Sequence, residues 1–215
     1  MGEAPMRTGL RAYMAKHAHG NGTTQDLFEA LDGATDKPVS AVLASFTDQP
    51  GVPRVDVSLH CEGPPKVTLR QERHIRWESD LERDRTWKIP VCFRYPVNGQ
   101  VTFHCALMEG PEMEVALQGD TCPLWLHPNP DERGYYRWSL PEAQLRDLAG
   151  SYRVALTLRE KITLLPGMWA LVTANKLPVA TYLAAVDDLA EEEHPLVVSQ
   201  VASALSALGP HARAL

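Results

Sequence analysis

The sequence predicts an α+β chain of several parts: a short helical segment, an immunoglobulin-like antiparallel β-sandwich, and the start of a helical array. Three observations carry this. Apolar residues recur at helical spacing as far as Phe46, alternate with a period of two from Pro53, and return to helical spacing after Leu140-Pro141. The changes of period divide the chain into residues 1–51, 52–140 and 141–215.

In the first part, an amphipathic stretch around Leu10 to Met14 stops at His19-Gly20-Asn21-Gly22. Thr23, with Asp26 three residues later, restarts a helix through Leu31. Val39, Val42, Leu43 and Phe46 then form one apolar face behind an Asp36 cap and a first-turn Pro38, and the helix ends at Gln49-Pro50-Gly51.

The second part opens with Val55, Val57 and Leu59 alternating with polar neighbours, and Val67 and Leu69 do the same after Pro64-Pro65. Further short strands are expected at Ile89 to Tyr95, Val101 to Ala106, Glu112 to Leu117, Leu124 to His127 and Gly134 to Arg137, between Gly, Pro and Asn punctuation. Short strands at this spacing are the pattern of a sandwich. The segment Glu72 to Arg85 carries charges of both signs and reads as a solvated loop.

In the third part, Thr157 and Glu160 form a capping box that opens a helix through Ile162, Leu165, Trp169 and Val172 to the Asn175 region. Pro178 starts the next helix, with Tyr182, Leu183 and Val186 inward. Pro195 starts a third, through Val198, Val201, Ala202 and Leu205 to Leu208. Consecutive helices with short connections bury their faces on one another as in a helical array.

Composition narrows the function. With 44% hydrophobic and 22% charged residues the chain is an ordinary globule, and a net charge of −6 argues against nucleic acid or anionic membrane as partner. No apolar run is long enough to span a bilayer and the N-terminus lacks a signal core, so a soluble chain is expected. Cys61, Cys92, Cys105 and Cys122 form no C-x-x-C pair and read as free thiols, which favours the cytoplasm.

Chemical signatures are missing. The H-E-x-x-H, P-loop, dinucleotide and nucleophile-elbow patterns do not occur. His17 and His19 fall on different helix faces with no carboxylate placed to complete a metal site, and His17 reads as a helix C-terminal residue meeting the dipole. In His60-Cys61 and His104-Cys105 the neighbours point to opposite strand faces, which argues against a nucleophile and its base. If Asn98-Gly99 is a two-residue turn, Cys92 and Cys105 are directly opposed across a hairpin. They read as adjacent buried thiols, with a cross-strand disulfide as the alternative in an oxidising compartment and Pro96 as a point where the register can shift. Trp77, Trp87, Trp125, Trp138 and Trp169 read mostly as core, and Glu191 to Glu193 as a solvated turn.

Several segments also resemble a known family. HAHGNGTTQDLFEAL (His17 to Leu31) and KPVSAVLASFTDQPGVPRVDV (Lys37 to Val57) resemble the end of the catalytic domain in aminopeptidase N-like zinc metallopeptidases, with Gly22 for alanine and Phe28 and Phe46 for tryptophan. QERH (Gln71 to His74), WKIPVCFRY (Trp87 to Tyr95) and LWLHPNPDERGYYRW (Leu124 to Trp138) are similar to strands of that family's small β-sandwich. LREKITLLPGMWALVTANKLPVATYLAAV (Leu158 to Val186) is similar to the first helices of its C-terminal helical domain, with Pro166-Gly167 in place of an acidic pair.

The resemblance implies a fragment. The family's zinc ligands, glutamate base, substrate loop and transition-state tyrosine lie upstream of the matched segment, so no catalytic, cofactor-binding or metal residue carries over. The parent would be a zinc aminopeptidase acting on peptides. This piece would be an inactive, positioning part whose partners are the missing catalytic and C-terminal parts. A stand-alone interaction module is the alternative, and uncovered apolar helix faces would then promote self-association.

Overall fold

The computed structural model describes residues 1–212, and side-chain burial through residue 208. Two compact units make up the chain, Met1–Pro50 and the part from Gly51 onward.

The first unit is three helices, α1 (Glu3–Lys16), α2 (Thr24–Asp32) and α3 (Val39–Thr47). Thr23 starts α2 as expected, and the structure makes it a reciprocal box: its hydroxyl accepts from the Asp26 amide at 3.2 Å, and the Asp26 carboxylate accepts from the Thr23 amide at 3.0 Å. The cap of α3 differs. Pro38 occupies the N-cap position, and the carboxylate reaching the first turn is Asp32, which accepts from the Ser40 amide at 2.9 Å. Asp36 is not needed because the turn after α2 brings Asp32 back to the α3 amides. Phe28 and Leu31 are buried, whereas the α3 face stays half-buried and Met14 is 66% exposed.

The second unit begins with two antiparallel strands, β1 (Pro53–His60) and β2 (Lys66–Arg73). It continues through β3 (Ile89–Val97), β4 (Gln100–Met108), β5 (Glu112–Ala116) and β6 (Arg137–Ser139). One sheet has the order β5-β2-β1-β6 and the other pairs β3 with β4. Val55, Val57, Val67, Leu69, Ile89, Val91, Phe93 and Tyr95 are all buried, because a strand's alternation puts every second residue on the inner face.

Two strand expectations change. Leu124 to His127 makes only one bridge, Arg94 with His127, and Pro128 has no amide to continue a ladder. Gly134 to Arg137 is displaced to Arg137–Ser139, which pairs in parallel with Arg54 to Asp56. The residues before it are folded into a tight loop around Asn129.

The cysteine expectation also changes. The hairpin turn is at Asn98-Gly99, both with positive φ as a two-residue turn of the I′ kind needs, and Pro96 leaves the register intact. Cys92 and Cys105 oppose each other with Cα atoms 4.0 Å apart, and they form the cross-strand disulfide rather than adjacent thiols. A second disulfide joins Cys61 at the end of β1 to Cys122, a pairing across 61 residues that spacing alone does not disclose.

Five helices complete the unit: α4 (Glu142–Gly150), α5 (Tyr152–Ala155), α6 (Leu158–Thr173), α7 (Val179–Ala190) and α8 (Pro195–Ala212). The first two are additional to the three expected, and α8 passes Leu208; residues 213–215 of the expected third part lie outside the described residues. Helix α6 continues through Pro166 and buries Leu164, Leu165, Met168 and Leu171. Burial rotates one face relative to expectation: in α7 Tyr182 and Val186 are inward but Leu183 is exposed. In α8 Val197 and Ala204 are inward while Val198 and Leu205 are about half exposed. None of the helices among the described residues is long and apolar enough to cross a membrane.

Candidate functional site: a buried junction between sandwich and helices

The most constrained polar cluster of the second unit lies where β3 meets the start of α6. Arg94 is on the outer face of β3, alternating with the inward Phe93 and Tyr95, and is only 6% exposed. Its backbone exchanges two hydrogen bonds with His127, at 2.8 and 2.9 Å. Its guanidinium donates to the Ala155 carbonyl, which precedes α6, and to the Glu160 carboxylate at 2.5 Å.

Glu160 is placed by the capping box. At the third position of α6 its carboxylate accepts from the Thr157 amide at 2.8 Å, while its own amide reaches the Thr157 hydroxyl at 3.4 Å. Its other oxygen accepts from the Asp131 amide at 2.6 Å. One carboxylate, 1% exposed, thus joins strand, loop and helix. Burial opposes its charged form, but His127, the Arg94 hydrogen bond and the two backbone amides outweigh that and hold its pKa below the ordinary value. Removing either partner of such a pair strands a buried charge, at a cost of about 3–5 kcal/mol.

His127 is neutral by construction. Its Nδ1 accepts from the Asn129 amide at 3.2 Å, and its ring meets Trp138 edge-on with centroids 5.2 Å apart. Burial, aided by Arg94, lowers its pKa to about 4 against the opposing pull of Glu160 and Asp131. The adjoining loop is closed by Asn129, whose side chain accepts from the Gly134 amide at 2.8 Å and donates to the Gly134 carbonyl at 3.1 Å. Gly134 is required there, since a Cβ would stand 2.1 Å from the Tyr136 ring. The Tyr136 hydroxyl, raised in pKa by burial, donates to the Pro128 carbonyl at 2.7 Å.

The helices are fastened at further points. The Thr173 carbonyl at the end of α6 accepts from the Trp77 amide at 2.9 Å, and Lys176 lies 3.5 Å from Glu72. Gln144 of α4 brackets Leu59 of β1, accepting from its amide at 3.0 Å and donating to its carbonyl at 2.8 Å. Both ends of α6 and the body of α4 are therefore tied to the sandwich, an arrangement suited to fixing orientation.

The residues singled out by sequence are placed as follows. His17 lies 3.4 Å from Asp26, so a carboxylate does face it, but among the described residues no group of three or more His, Cys, Asp or Glu is placed to hold a metal ion. Cys61 and Cys105 are both in disulfides, and among the described residues no cysteine is free to act as a nucleophile. Trp87 and Trp125 are core, whereas Trp77 is 59% exposed. The acidic run is not simply solvated: Glu191 and Glu192 pair with Arg153 and Lys161, each at 2.7 Å. The Arg94–Glu160 pair escapes sequence reasoning because its partners are 66 residues apart. The only local signals are the capping box and an arginine interrupting an apolar strand.

The second unit is thus a sandwich with helices tied to it at several points. Residues 125–213 match the ERAP1-like C-terminal domain family. Over 213 residues the chain is 23% identical to puromycin-sensitive aminopeptidase of Caenorhabditis elegans, covering 97% of this chain and 22% of that protein. Aminopeptidase M1-A of Oryza sativa subsp. japonica is 27% identical over 214 residues, 94% of this chain and 23% of that protein. Aminopeptidase N of Lactobacillus helveticus is 34% identical over 91 residues, 42% of this chain and 10% of that protein. Over most of its length the chain is similar to aminopeptidases, in keeping with its motifs, and it spans less than a quarter of the length of the first two of these proteins.

Proposed function

We propose that this chain is the non-catalytic portion of a zinc-dependent aminopeptidase, and that it holds the helical array in a fixed position over the parent's catalytic part. The observation that carries the reading is the Arg94–Glu160 junction, which locks the start of α6 to the sandwich in a chain aligned almost end to end with a minor part of long aminopeptidases. The parent would remove N-terminal amino acids from peptides, and its zinc and catalytic groups would come from elsewhere in the polypeptide. A rigid sandwich-to-helix connection would set cleft width and limit access, since positioning errors of about 1 Å are costly in catalysis.

The two disulfides remove the ground for a cytoplasmic setting, and an oxidising compartment is the better proposal. The test is an immunoblot of source cells with an antibody raised against the purified chain, paired with an aminoacyl-nitroanilide assay of the chain with added zinc. The expected results are a band several times larger than 23.8 kDa and no released product. A single band at the chain's own size, or amino-acid release by the chain alone, overturns the reading.

A further inference from the structure

The segment after β2 builds a feature that the positioning role does not use. An open cleft of about 720 Å³ is lined by Arg73, Arg76 and Arg137, by His74, and by the indole of Trp77 beside Ile75 and Leu81. Its size is within the range of sites that take drug-sized ligands rather than single ions. The chain as a whole carries a charge of −6, yet here three guanidinium groups face only one lining carboxylate, Glu78.

These arginines are unspent. Several arginines elsewhere in this unit are paired, as Arg54 with Asp56 and Glu72, Arg94 with Glu160, and Arg153 with Glu191. Among the described residues Arg73, Arg76 and Arg137 have no carboxylate within ion-pairing distance. His74 does not compete for protons: burial and the charges of Arg137 and Arg54 lower its pKa to about 4, and its shielded Nδ1 has no hydrogen-bond partner. The cationic character of the cleft therefore rests on the guanidinium groups, which offer planar paired donors to carboxylates.

The backbone is pinned around them. The His74 amide donates to the Val52 carbonyl at 2.8 Å, the Arg73 amide to the Arg83 carbonyl at 3.0 Å, and the Trp77 amide to the Thr173 carbonyl at 2.9 Å. Gly51, at φ +119°, lies so close to Arg73 that a Cβ would be 2.6 Å from its Nε. An exposed indole next to aliphatic side chains, held among unpaired arginines on a fixed frame, complements a ligand that alternates carboxylate and apolar groups.

We propose that this cleft binds an acidic peptide segment, with Arg76 and Arg137 taking its carboxylates and Trp77 covering an apolar side chain between them. The site belongs to the chain itself, so its test is independent of the parent's activity.

The experiment titrates the 215-residue chain with acetyl-Glu-Leu-Glu-amide, its Gln-Leu-Gln counterpart and inorganic phosphate, by calorimetry and tryptophan fluorescence. The expected result is binding of the Glu peptide alone, weakened by salt and lowered about tenfold in each of Arg76→Gln and Arg137→Gln. The fluorescence change should vanish in Trp77→Phe. Circular dichroism checks the fold of each variant, and Arg137→Lys, which keeps the charge but loses the paired donors, should bind more weakly than the parent chain. No binding of the Glu peptide, equal binding of the Gln peptide, or unchanged affinity in both glutamine variants overturns the proposal. Phosphate binding as tight as that of the peptide overturns the peptide assignment and leaves a general oxyanion site.

Discussion

His127 shows how much one residue's surroundings decide. As an exposed side chain it would titrate near 6.5, but at the junction it is 1% exposed, accepts a backbone hydrogen bond and faces Arg94, so its folded pKa falls to about 4. The unfolded chain then binds the proton more tightly than the folded one. The stabilisation is therefore complete above about pH 6.5 and lost as pH falls toward 4, in total about 3 kcal/mol. Glu160, whose folded pKa is also depressed, adds a loss in the same direction at more acid pH. Urea unfolding followed by tryptophan fluorescence at pH 7.5 and pH 4 tests this, because all five tryptophans are in the second unit. Stability should fall on acidification, and His127→Gln should flatten the slope between these values. An equal slope in the variant would assign the acid sensitivity to other groups.

At the scale of elements, the β3–β4 hairpin and the β1 end are both closed covalently, by loops of different size. The hairpin disulfide spans 13 residues and the Cys61–Cys122 disulfide spans 61. In the chain-entropy account the longer loop restrains the unfolded state more, giving about 4 kcal/mol against about 3 kcal/mol for the shorter. The hairpin also has a complete ladder of its own, from Ile89 opposite Met108 to Val97 opposite Gln100. Cys61→Ser/Cys122→Ser should accordingly lower the unfolding free energy more than Cys92→Ser/Cys105→Ser, as compared by denaturant midpoint under non-reducing conditions. The reverse order would mean that native contacts around Cys61, rather than loop entropy, set the balance. Helix α6 shows the same division of labour without a covalent bond: its first turn is held by Glu160 and its last by Thr173.

For the molecule as a whole, what stays uncovered matters as much as what is packed. On α8, Val198 and Leu205 are about half exposed at positions seven apart, on the same helical side as Ala202, while Val197 and Ala204 face inward. Exposed apolar patches can mark contact surfaces, and the proposed fragment would cover this stripe with further polypeptide or a second copy. Replacing Val198 and Leu205 by Lys should leave unfolding free energy within about 0.5 kcal/mol, because neither side chain is in the core. The same change should abolish any concentration-dependent association seen by sedimentation. Association that persists in the double variant would locate the contact elsewhere, with the exposed Met14 side of α1 as the next candidate.

Local signals were enough for much of this. The period of apolar residues marks the helical and strand regions, Thr23 with Asp26 starts a helix, Thr157 with Glu160 forms the expected capping box, and Asn98-Gly99 places Cys92 opposite Cys105. Each depends on residues within a turn or a hairpin, where chain geometry alone brings the groups together. What only the tertiary structure decided involves partners far apart in the chain: the Cys61–Cys122 bond, the parallel pairing of β6 with β1, the Arg94–Glu160 pair, and the cleft that gathers Arg73, Arg76 and Arg137. The inward faces of α7 and α8 belong with these, since helical period defines a stripe but not which of two adjoining stripes finds a neighbour. The physical reason is common to all of them: burial and pairing energies depend on what packs opposite, and a one-dimensional pattern names the partner only when the loop between is short.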